Sequence, residues 1–185
     1  HDEPAVLRAN QNRFDPVLQF TDRVLALQRM GHPGDKVELL VLGGTWHSYP
    51  DSYRERFVRD LFFAANTVHV TRNRREPLPL EEEQRLNEKA RCRVIGLTLE
   101  TRPDCITPAA CWELRRMGCT RLQLGVQHDD NEVLKKINRQ CPTQVTKGAL
   151  RLLYDSNFKV DIHIMLQLPG TTPQSDREML LRFLH

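Results

Sequence analysis

Polar side chains that can bind a ligand follow four short apolar segments of the sequence. The four groups are Gly43-Gly44-Thr45, then Glu100 to Asp104, then Gly125 to His128, and finally His163 with Gln167 and the Leu168-Pro169-Gly170 turn. Carboxylates accept hydrogen bonds, guanidinium groups bind anions, and glycines let a backbone approach a ligand closely. Each group alone has an ordinary explanation, such as a tight turn, a local ion pair or a buried histidine. Their recurrence after four segments favours one shared binding site.

The apolar segments predict buried parallel strands over 37–42, 94–99, 121–126 and 159–166. Each is short, nearly continuous in apolar or β-branched residues, and followed by glycine, proline or charge. Helical patterns alternate with them, so the predicted fold class is α/β with a parallel sheet. Ligands of such folds bind at the carboxyl ends of the strands, where the four polar groups lie.

Three helices are predicted between these strands. The first carries Tyr53, Phe57 and Leu61 at four-residue steps. The second is capped by Thr107, has Pro108 in its first turn and ends at Gly118. The third runs from about Thr143 to Tyr154, with an inward face predicted at Val145, Leu150 and Leu153.

Length and composition indicate a globular chain. It has 185 residues, a hydrophobic fraction of 39% and a net charge of +3, which selects no class of partner. No apolar run approaches a membrane span and no signal peptide is apparent, so we expect a soluble intracellular protein. The 5 cysteines, at positions 92, 105, 111, 119 and 141, show no paired spacing and are expected to be reduced thiols. A zinc site that combines them with His128 or His163 is a minor alternative.

Residues 71–93 form a charge-rich insertion without a strong apolar stripe until Leu80 and Leu86, and are predicted to be solvated loop and short helix. Arg72, Arg74 and Arg75 lie in this segment. They are candidates for binding phosphate, although a run of charges is more often a solvated surface.

Four longer stretches resemble a known family. They are "DKVELLVLGGTW", "GLTLETRPDCI", "GCTRLQLGVQHDDNEVLKKINR" and "FKVDIHIMLQLPG", and the likeness extends to "EPAVLRANQNRFDPVLQ" near the start. Together they resemble the radical S-adenosylmethionine domain of the Elongator catalytic subunit, the Elongator protein 3 family.

The resemblance implies a partial (β/α) TIM-like barrel of the radical S-adenosylmethionine type, incomplete in this chain. Residues 1–185 are expected to be one partial core that lacks the upstream cluster-binding loop, the downstream end of the barrel and the acetyltransferase domain. Members hold S-adenosylmethionine and a four-iron–four-sulfur cluster, and a separate acetyltransferase-like domain handles acetyl-CoA. The implied reaction carboxymethylates the wobble uridine of tRNA: a deoxyadenosyl radical takes hydrogen from the acetyl methyl group, and the resulting carbon adds to uridine. This chemistry belongs to the cofactors, while the protein supplies a dry, oriented pocket.

The resemblance also implies roles for individual residues, with no catalytic residue assigned. Gly43, Gly44 and Thr45 would approach the methionine part of S-adenosylmethionine. Glu100 would accept hydrogen bonds from its ribose or amino group. The other implied contacts are Arg102 for a carboxylate or phosphate, Gln127 and His163 for a polar wall, Met165 for the adenine or sulfonium, and Lys36 for acetyl-CoA.

A basic rim that binds tRNA is predicted from Arg72, Arg74, Arg75, Lys135, Lys136 and Arg139. The expected partners are tRNA and, in a eukaryote, other Elongator subunits, with no membrane. The expected location is the cytoplasm, and the nucleus and the mitochondrion are left open.

The chain departs from the family pattern in two respects. The family's three cluster-ligating cysteines precede the segment that resembles "EPAVLR", and no cysteine here matches their positions, so no metal ligand is assigned and we expect no cluster on this chain alone. Gln140 and Gln167 stand where glycine and aspartate are typical. Three functions stay open: a fragment of an active tRNA-modifying radical enzyme, a degenerate domain kept as a structural or assembly subunit, and an unrelated phosphate-binding barrel.

Overall fold

The computed structural model of the chain describes residues 3–70 and 72–184. Its sheet contains the strands β1 (Lys36–Val41), β2 (Arg93–Thr101), β3 (Arg121–Gln127) and β4 (Lys159–Ile164). The strands lie side by side in the order of the chain, and β3 is parallel to both β2 and β4. The predicted α/β class and the four predicted strands are confirmed. Because β2 continues through Thr101, Glu100 belongs to the strand itself.

The α-helices of the described residues are α1 (Pro4–Gln11), α2 (Pro16–Arg29), α3 (Asp51–Thr67), α4 (Leu80–Asn87), α5 (Pro108–Arg116), α6 (Asn131–Lys136), α7 (Thr143–Asp155) and α8 (Pro173–Leu184). The predicted cap of α5 is confirmed, because Thr107 Oγ1 accepts a hydrogen bond from the Ala110 amide at 3.1 Å. Of these helices, none is long and apolar enough to cross a membrane. Sequence patterns had not predicted α1, α2, α6 or α8.

The chain divides into two compact units. The first takes in the chain up to Leu40, Ser48–Leu97 and Arg116–Gly118, and the second takes in Val41–His47, Thr98–Arg115 and the chain from Cys119 onward. In the first unit α3 packs against α2 and α4, and in the second α7 packs against β4.

In the second unit the two faces of the sheet differ in chemistry. One row across β2, β3 and β4 pairs Leu99 with Leu122 and Leu122 with Val160, and both leucines are fully buried. The next row pairs Glu100 with Gln123 and Gln123 with Asp161, which are all half-buried. Because successive side chains of a strand alternate between faces, the apolar row forms core and the polar row faces the open side.

Two predicted helix faces were only partly right. In α3, Leu61 is buried, but Tyr53 and Phe57 are half-buried and their rings stack at 5.8 Å, while Val58, Phe62 and Ala65 supply the core. In α7, Val145 is 40% exposed and Leu150 is half-buried, and the buried residues are Thr146, Ala149 and Leu153. In both helices, apolar side chains also flank the buried stripe. A prediction from apolar positions alone therefore overestimates the width of the buried face.

The charge-rich insertion is held by a buried carboxylate rather than by an apolar stripe. Its first residue, Thr71, lies outside the described part of the chain. The Glu83 side chain is fully buried and pairs with Arg75 through two hydrogen bonds of 2.5 and 2.8 Å. The Asn66 amide and the Leu78 backbone N–H also donate to this carboxylate, both at 2.8 Å. Leu80 is buried, whereas Leu86 is 44% exposed.

Burial raises the pKa of the Glu83 carboxyl, but the hydrogen bonds from Arg75, Leu78 and Asn66 outweigh this effect, so its pKa lies below the ordinary value. A depressed pKa in the folded state stabilises the fold above the unfolded pKa, and this contribution is lost as pH falls through the folded pKa. The network therefore stabilises the first unit at neutral pH and weakens in acid.

We predict that Glu83→Gln lowers the free energy of unfolding by roughly 3 kcal/mol at pH 7, because three donors lose their charged acceptor. The loss should shrink as pH falls below about 4, the ordinary carboxyl pKa, because the unfolded wild-type chain then binds a proton that the folded state takes up only at lower pH. Urea denaturation at pH 7 and pH 3.5 measures both effects. Glu82→Gln, at an exposed neighbour on α4, is the matched control. Equal stability of the two variants at pH 7 would contradict the prediction.

Candidate functional site

Polar groups from different segments of the second unit meet at Gly125, near the carboxyl end of β3. The strand register places His163 of β4 beside Gly125. The Arg139 guanidinium donates a hydrogen bond to the Gly125 carbonyl oxygen. A Cβ atom on Gly125 would lie 3.1 Å from Arg139 Nη2 and 3.2 Å from Gln127 Nε2. Glycine therefore leaves room for two hydrogen-bond donors over the end of this strand.

Glu100 contributes the carboxylate of the site. Its Oε2 accepts a hydrogen bond from the Gly43 backbone N–H at 3.0 Å, and its Oε1 lies 3.7 Å from His163 Nδ1. The side chains of Glu100 and His163 are 25% and 44% exposed. The structure thus brings together Gly43, Glu100 and His163, three residues that the sequence had placed at one site.

The backbone conformation of the turn after β1 requires glycine. Gly43 and Gly44 have φ angles of +112° and +111°, which side chains rarely adopt. A Cβ at either position would meet nothing within 4 Å, so the turn borders open space. The turn is therefore a tight one, and it also leaves the Glu100 carboxylate accessible beside it. Thr45 follows as a half-buried residue.

Arg139 belongs to this site by position, although the sequence had assigned it to a basic rim. Its Nε is buried and has no hydrogen-bond partner among the described residues. Arg139 also lines an open cavity of about 520 Å³ beside α6, together with Asn138 and Gln140. The one sequence signal for this position is Gly125 itself, because a glycine inside a strand often marks a close approach by another group.

The Arg102 guanidinium is engaged by a neighbour. It donates to both carboxylate oxygens of Asp104 at 2.8 Å. Burial raises the pKa of the Asp104 carboxyl, but the hydrogen bond and charge of Arg102 dominate and hold that pKa below its usual value. Arg102 is thus already paired with an anion, which makes it a less available ligand group than Arg139.

Two predicted contacts lie at the ends of β3 and β4. Gln127 is the last residue of β3 and has a φ of +75°. Met165 follows the end of β4, its side chain is half-exposed, and its backbone N–H donates to the Gln127 carbonyl oxygen at 2.8 Å. Both therefore lie at the strand-end edge where the sequence had placed them.

The remaining predicted residues have no contact with Gly125 that the structure shows, and some of them form ion pairs elsewhere. Lys36 is exposed at the amino end of β1, at the other end of that strand from Gly43. Arg75 pairs with Glu83, and Lys135 pairs with Glu132 at 2.7 Å. Arg72 and Lys136 are exposed and Arg74 is half-buried. The proposed roles of these residues in binding acetyl-CoA and tRNA stay predictions.

Sequence analysis had not identified His47 as part of this edge. His47 Nδ1 lies 2.8 Å from Thr101 Oγ1, at the carboxyl end of β2. A short 3-10 helix, Trp46–Ser48, follows the glycine turn and carries this histidine. A lone histidine three residues past a turn gives no signal of its position, since the hydrogen bond joins residues 54 positions apart.

Comparisons with known proteins agree with this architecture. The model of the radical S-adenosylmethionine (radical SAM) superfamily matches residues 9–184. The tRNA uridine(34) acetyltransferase of Methanocaldococcus infernus is 38% identical over 177 residues, which cover 96% of this chain and 32% of that protein. Elongator complex protein 3 of Danio rerio is 35% identical over 181 residues, which cover 98% of this chain and 32% of that protein.

A solved structure is also similar. The archaeal Methanocaldococcus infernus Elp3 with an N-terminal deletion (1-46) matches with a TM-score of 0.87 and 36% identity, covering 94% of this chain and 39% of that one. The chain thus spans about a third of the length of the curated relatives it matches. The resemblance seen in the sequence motifs is confirmed. The chain belongs to the radical SAM superfamily.

Proposed function

We propose that this chain is the S-adenosylmethionine-binding core of an enzyme that modifies uridine in tRNA. One observation carries the proposal: Gln127 and Arg139 approach Gly125, and His163 lies beside it in the strand register, 3.7 Å from Glu100. The similar proteins that are named tRNA uridine(34) acetyltransferase and Elongator complex protein 3 support the choice of substrate.

Membership of the radical SAM family implies S-adenosylmethionine and a four-iron–four-sulfur cluster. The chemistry of the residues fits the first of these. S-adenosylmethionine has ribose hydroxyls and an ammonium group that donate hydrogen bonds, and Glu100 is an acceptor-only carboxylate beside open space. The carboxylate of S-adenosylmethionine suits Arg139, whose buried Nε has no hydrogen-bond partner in the described residues. The Gly43-Gly44 turn leaves room for the methionine part.

Bound S-adenosylmethionine supplies radical hydrogen abstraction once its sulfonium is reduced. The protein's residues orient this molecule. Glu100, fixed by the Gly43 N–H, would hold the ribose or ammonium. Gln127 and His163 would form the polar wall, and Met165 would supply a soft apolar contact.

The cysteines of this chain do not fit the cluster. In residues 3–70 and 72–184, no three His, Cys, Asp or Glu side chains lie close enough to hold a metal ion. Cys92, Cys111, Cys119 and Cys141 are buried. Burial raises the pKa of Cys92 to about 11 and that of Cys119 to about 12, which opposes the thiolate form that iron requires. We therefore assign no cluster ligand in this chain.

Acetyl-CoA and tRNA complete the proposal. The Lys36 ammonium suits a phosphate or thioester oxygen of acetyl-CoA, and its exposure leaves it accessible. Lys135 and Lys136 of α6 lie in the same helix–loop segment as Arg139, so phosphates could bind beside the strand-end site. Other Elongator subunits are proposed partners in a eukaryote.

The first test concerns S-adenosylmethionine. We predict that Glu100→Gln weakens its binding by tenfold to a hundredfold, roughly the loss of a charge-assisted hydrogen bond. The amide oxygen can still accept from the Gly43 N–H, so the turn should stay intact. Isothermal titration calorimetry of the whole protein measures the affinity. Glu88→Gln, at an exposed position, is the control. Unchanged affinity in Glu100→Gln would remove this residue from the site.

The second test concerns the thiols. We predict that iodoacetamide at pH 8 modifies Cys105, the one half-buried cysteine, first. At that pH only about one thousandth of a thiol with a pKa of about 11 is in the thiolate form. Cys92 and Cys119 should therefore react only after the protein has unfolded. Peptide mass spectrometry follows each site, and the same reaction in guanidinium chloride should equalise the rates. Rapid native labelling of Cys119 would contradict its inert, buried state.

The third test concerns tRNA. We predict that replacing Lys135 and Lys136 by alanine weakens tRNA binding by the whole protein and flattens its salt dependence. Each lost phosphate contact should lower the log–log slope by roughly 0.7 to 0.9. Binding of S-adenosylmethionine should be unaffected. Lys147→Ala, at an exposed position on α7, controls for the loss of charge. Identical slopes for variant and wild type would assign Lys135 and Lys136 to a solvated surface.

A further inference from the structure

Gln127 is held in a strained backbone conformation at the end of β3. Its φ is +75°, and the His128 N–H donates to the Val126 carbonyl oxygen at 3.0 Å across it. This combination is a γ-turn of the rare, strained kind. Such strain persists only where the surroundings fix it, and it often occurs at functional sites. The neighbouring residues must therefore hold Gln127 in place.

His128, the next residue, is buried and has a defined hydrogen-bonding state. Its side chain is 3% exposed, and its Nδ1 accepts a hydrogen bond from the Asp130 backbone N–H at 3.0 Å. A neutral imidazole that accepts at Nδ1 carries its proton on Nε2. The backbone of the β3–α6 turn thus selects the tautomer and makes Nε2–H a donor.

This donor faces a buried carboxylate of α8. His128 Nε2 lies 3.9 Å from Asp176 Oδ1, and the Asp176 side chain is 6% exposed. Neither of these two atoms has a hydrogen-bond partner among the described residues. The other oxygen of Asp176 accepts from the Gln167 N–H at 2.8 Å. The two side chains therefore face each other in a dry environment, where electrostatic attraction is strong.

The pair joins the two strand-end loops that flank the site. His128 follows Gln127 on the loop after β3. Asp176 accepts a hydrogen bond from the backbone N–H of Gln167, on the loop after β4. Met165, from the same β4 loop, donates to the Gln127 carbonyl. A separate ion pair joins Asp129 to Arg182 of α8 at 2.6 and 3.0 Å, and Asp129 Oδ1 lies 3.6 Å from His128 Nδ1. A substitution at Arg182 therefore serves as a control, because it removes a contact between α8 and the loop after β3 without changing His128 or Asp176.

We propose that His128 and Asp176 form a positioning pair that fixes the γ-turn at Gln127 and so aims the Gln127 amide into the strand-end site. This inference rests on the proposed function for what Gln127 would bind. The pair itself acts through the backbone and touches no ligand.

A double-mutant cycle tests whether His128 acts through Gln127. His128→Asn keeps an acceptor for the Asp130 N–H but does not reach Asp176, and should weaken S-adenosylmethionine binding by the whole protein about tenfold. His128→Gln places an amide N–H where Nε2 was, and should retain affinity within about threefold. In a Gln127→Ala background, His128→Asn should have no further effect. Additive losses would overturn the inference.

A measurement without ligand separates this inference from the proposed function. Amide hydrogen exchange of Met165, relative to that of Leu122 in the core, should accelerate about tenfold in His128→Asn and in Asp176→Asn as the γ-turn loosens. Arg182→Met should leave it unchanged. An unchanged Met165 rate in the first two variants would overturn the positioning pair. Accelerated exchange in a protein that binds no S-adenosylmethionine would support the pair and refute the proposed function.

Discussion

The register between β2, β3 and β4 is the constraint on which the site depends. It sets Leu99 against Leu122 on the buried face and Glu100 against Gln123 on the polar face. The same register places His163 beside Gly125. A slip by one residue would turn every side chain of a strand to the opposite face, exposing leucines and burying carboxylates. The hydrophobic core and the polar site are therefore specified together, and neither can shift alone.

The strands, the helix cap at Thr107 and the strand-end position of the site could be predicted because they depend on local patterns. Short apolar runs bounded by glycine and charge are read within a few residues, and parallel topology then brings their carboxyl ends to one edge. Gly43, Glu100 and His163 were found in this way. Motif resemblance contributed the family and the type of cofactor, which no local pattern specifies.

What could not be predicted depends on long-range partners. Arg139 reaches Gly125 across 14 residues, and nothing in its own neighbourhood distinguishes it from a surface arginine. Glu83 is buried only because Arg75, Asn66 and Leu78 converge on it, so a run of glutamates was read as solvated. Asp176 was likewise not predicted, since it is buried where it accepts from the Gln167 N–H, nine residues away in the sequence.

The order of the strands in the sheet follows their order in the chain, and this has a consequence for how the protein folds. Each strand added to the sheet finds its neighbour already formed by the preceding segment, so the loops closed at each step are those of single crossovers. Parallel strands can pair only after the crossover between them has closed, so each step loses chain entropy before its contacts form, and pairing of this kind is intrinsically slow. On the ribosome, the sheet can grow strand by strand as the chain emerges, without waiting for a distant segment to complete it.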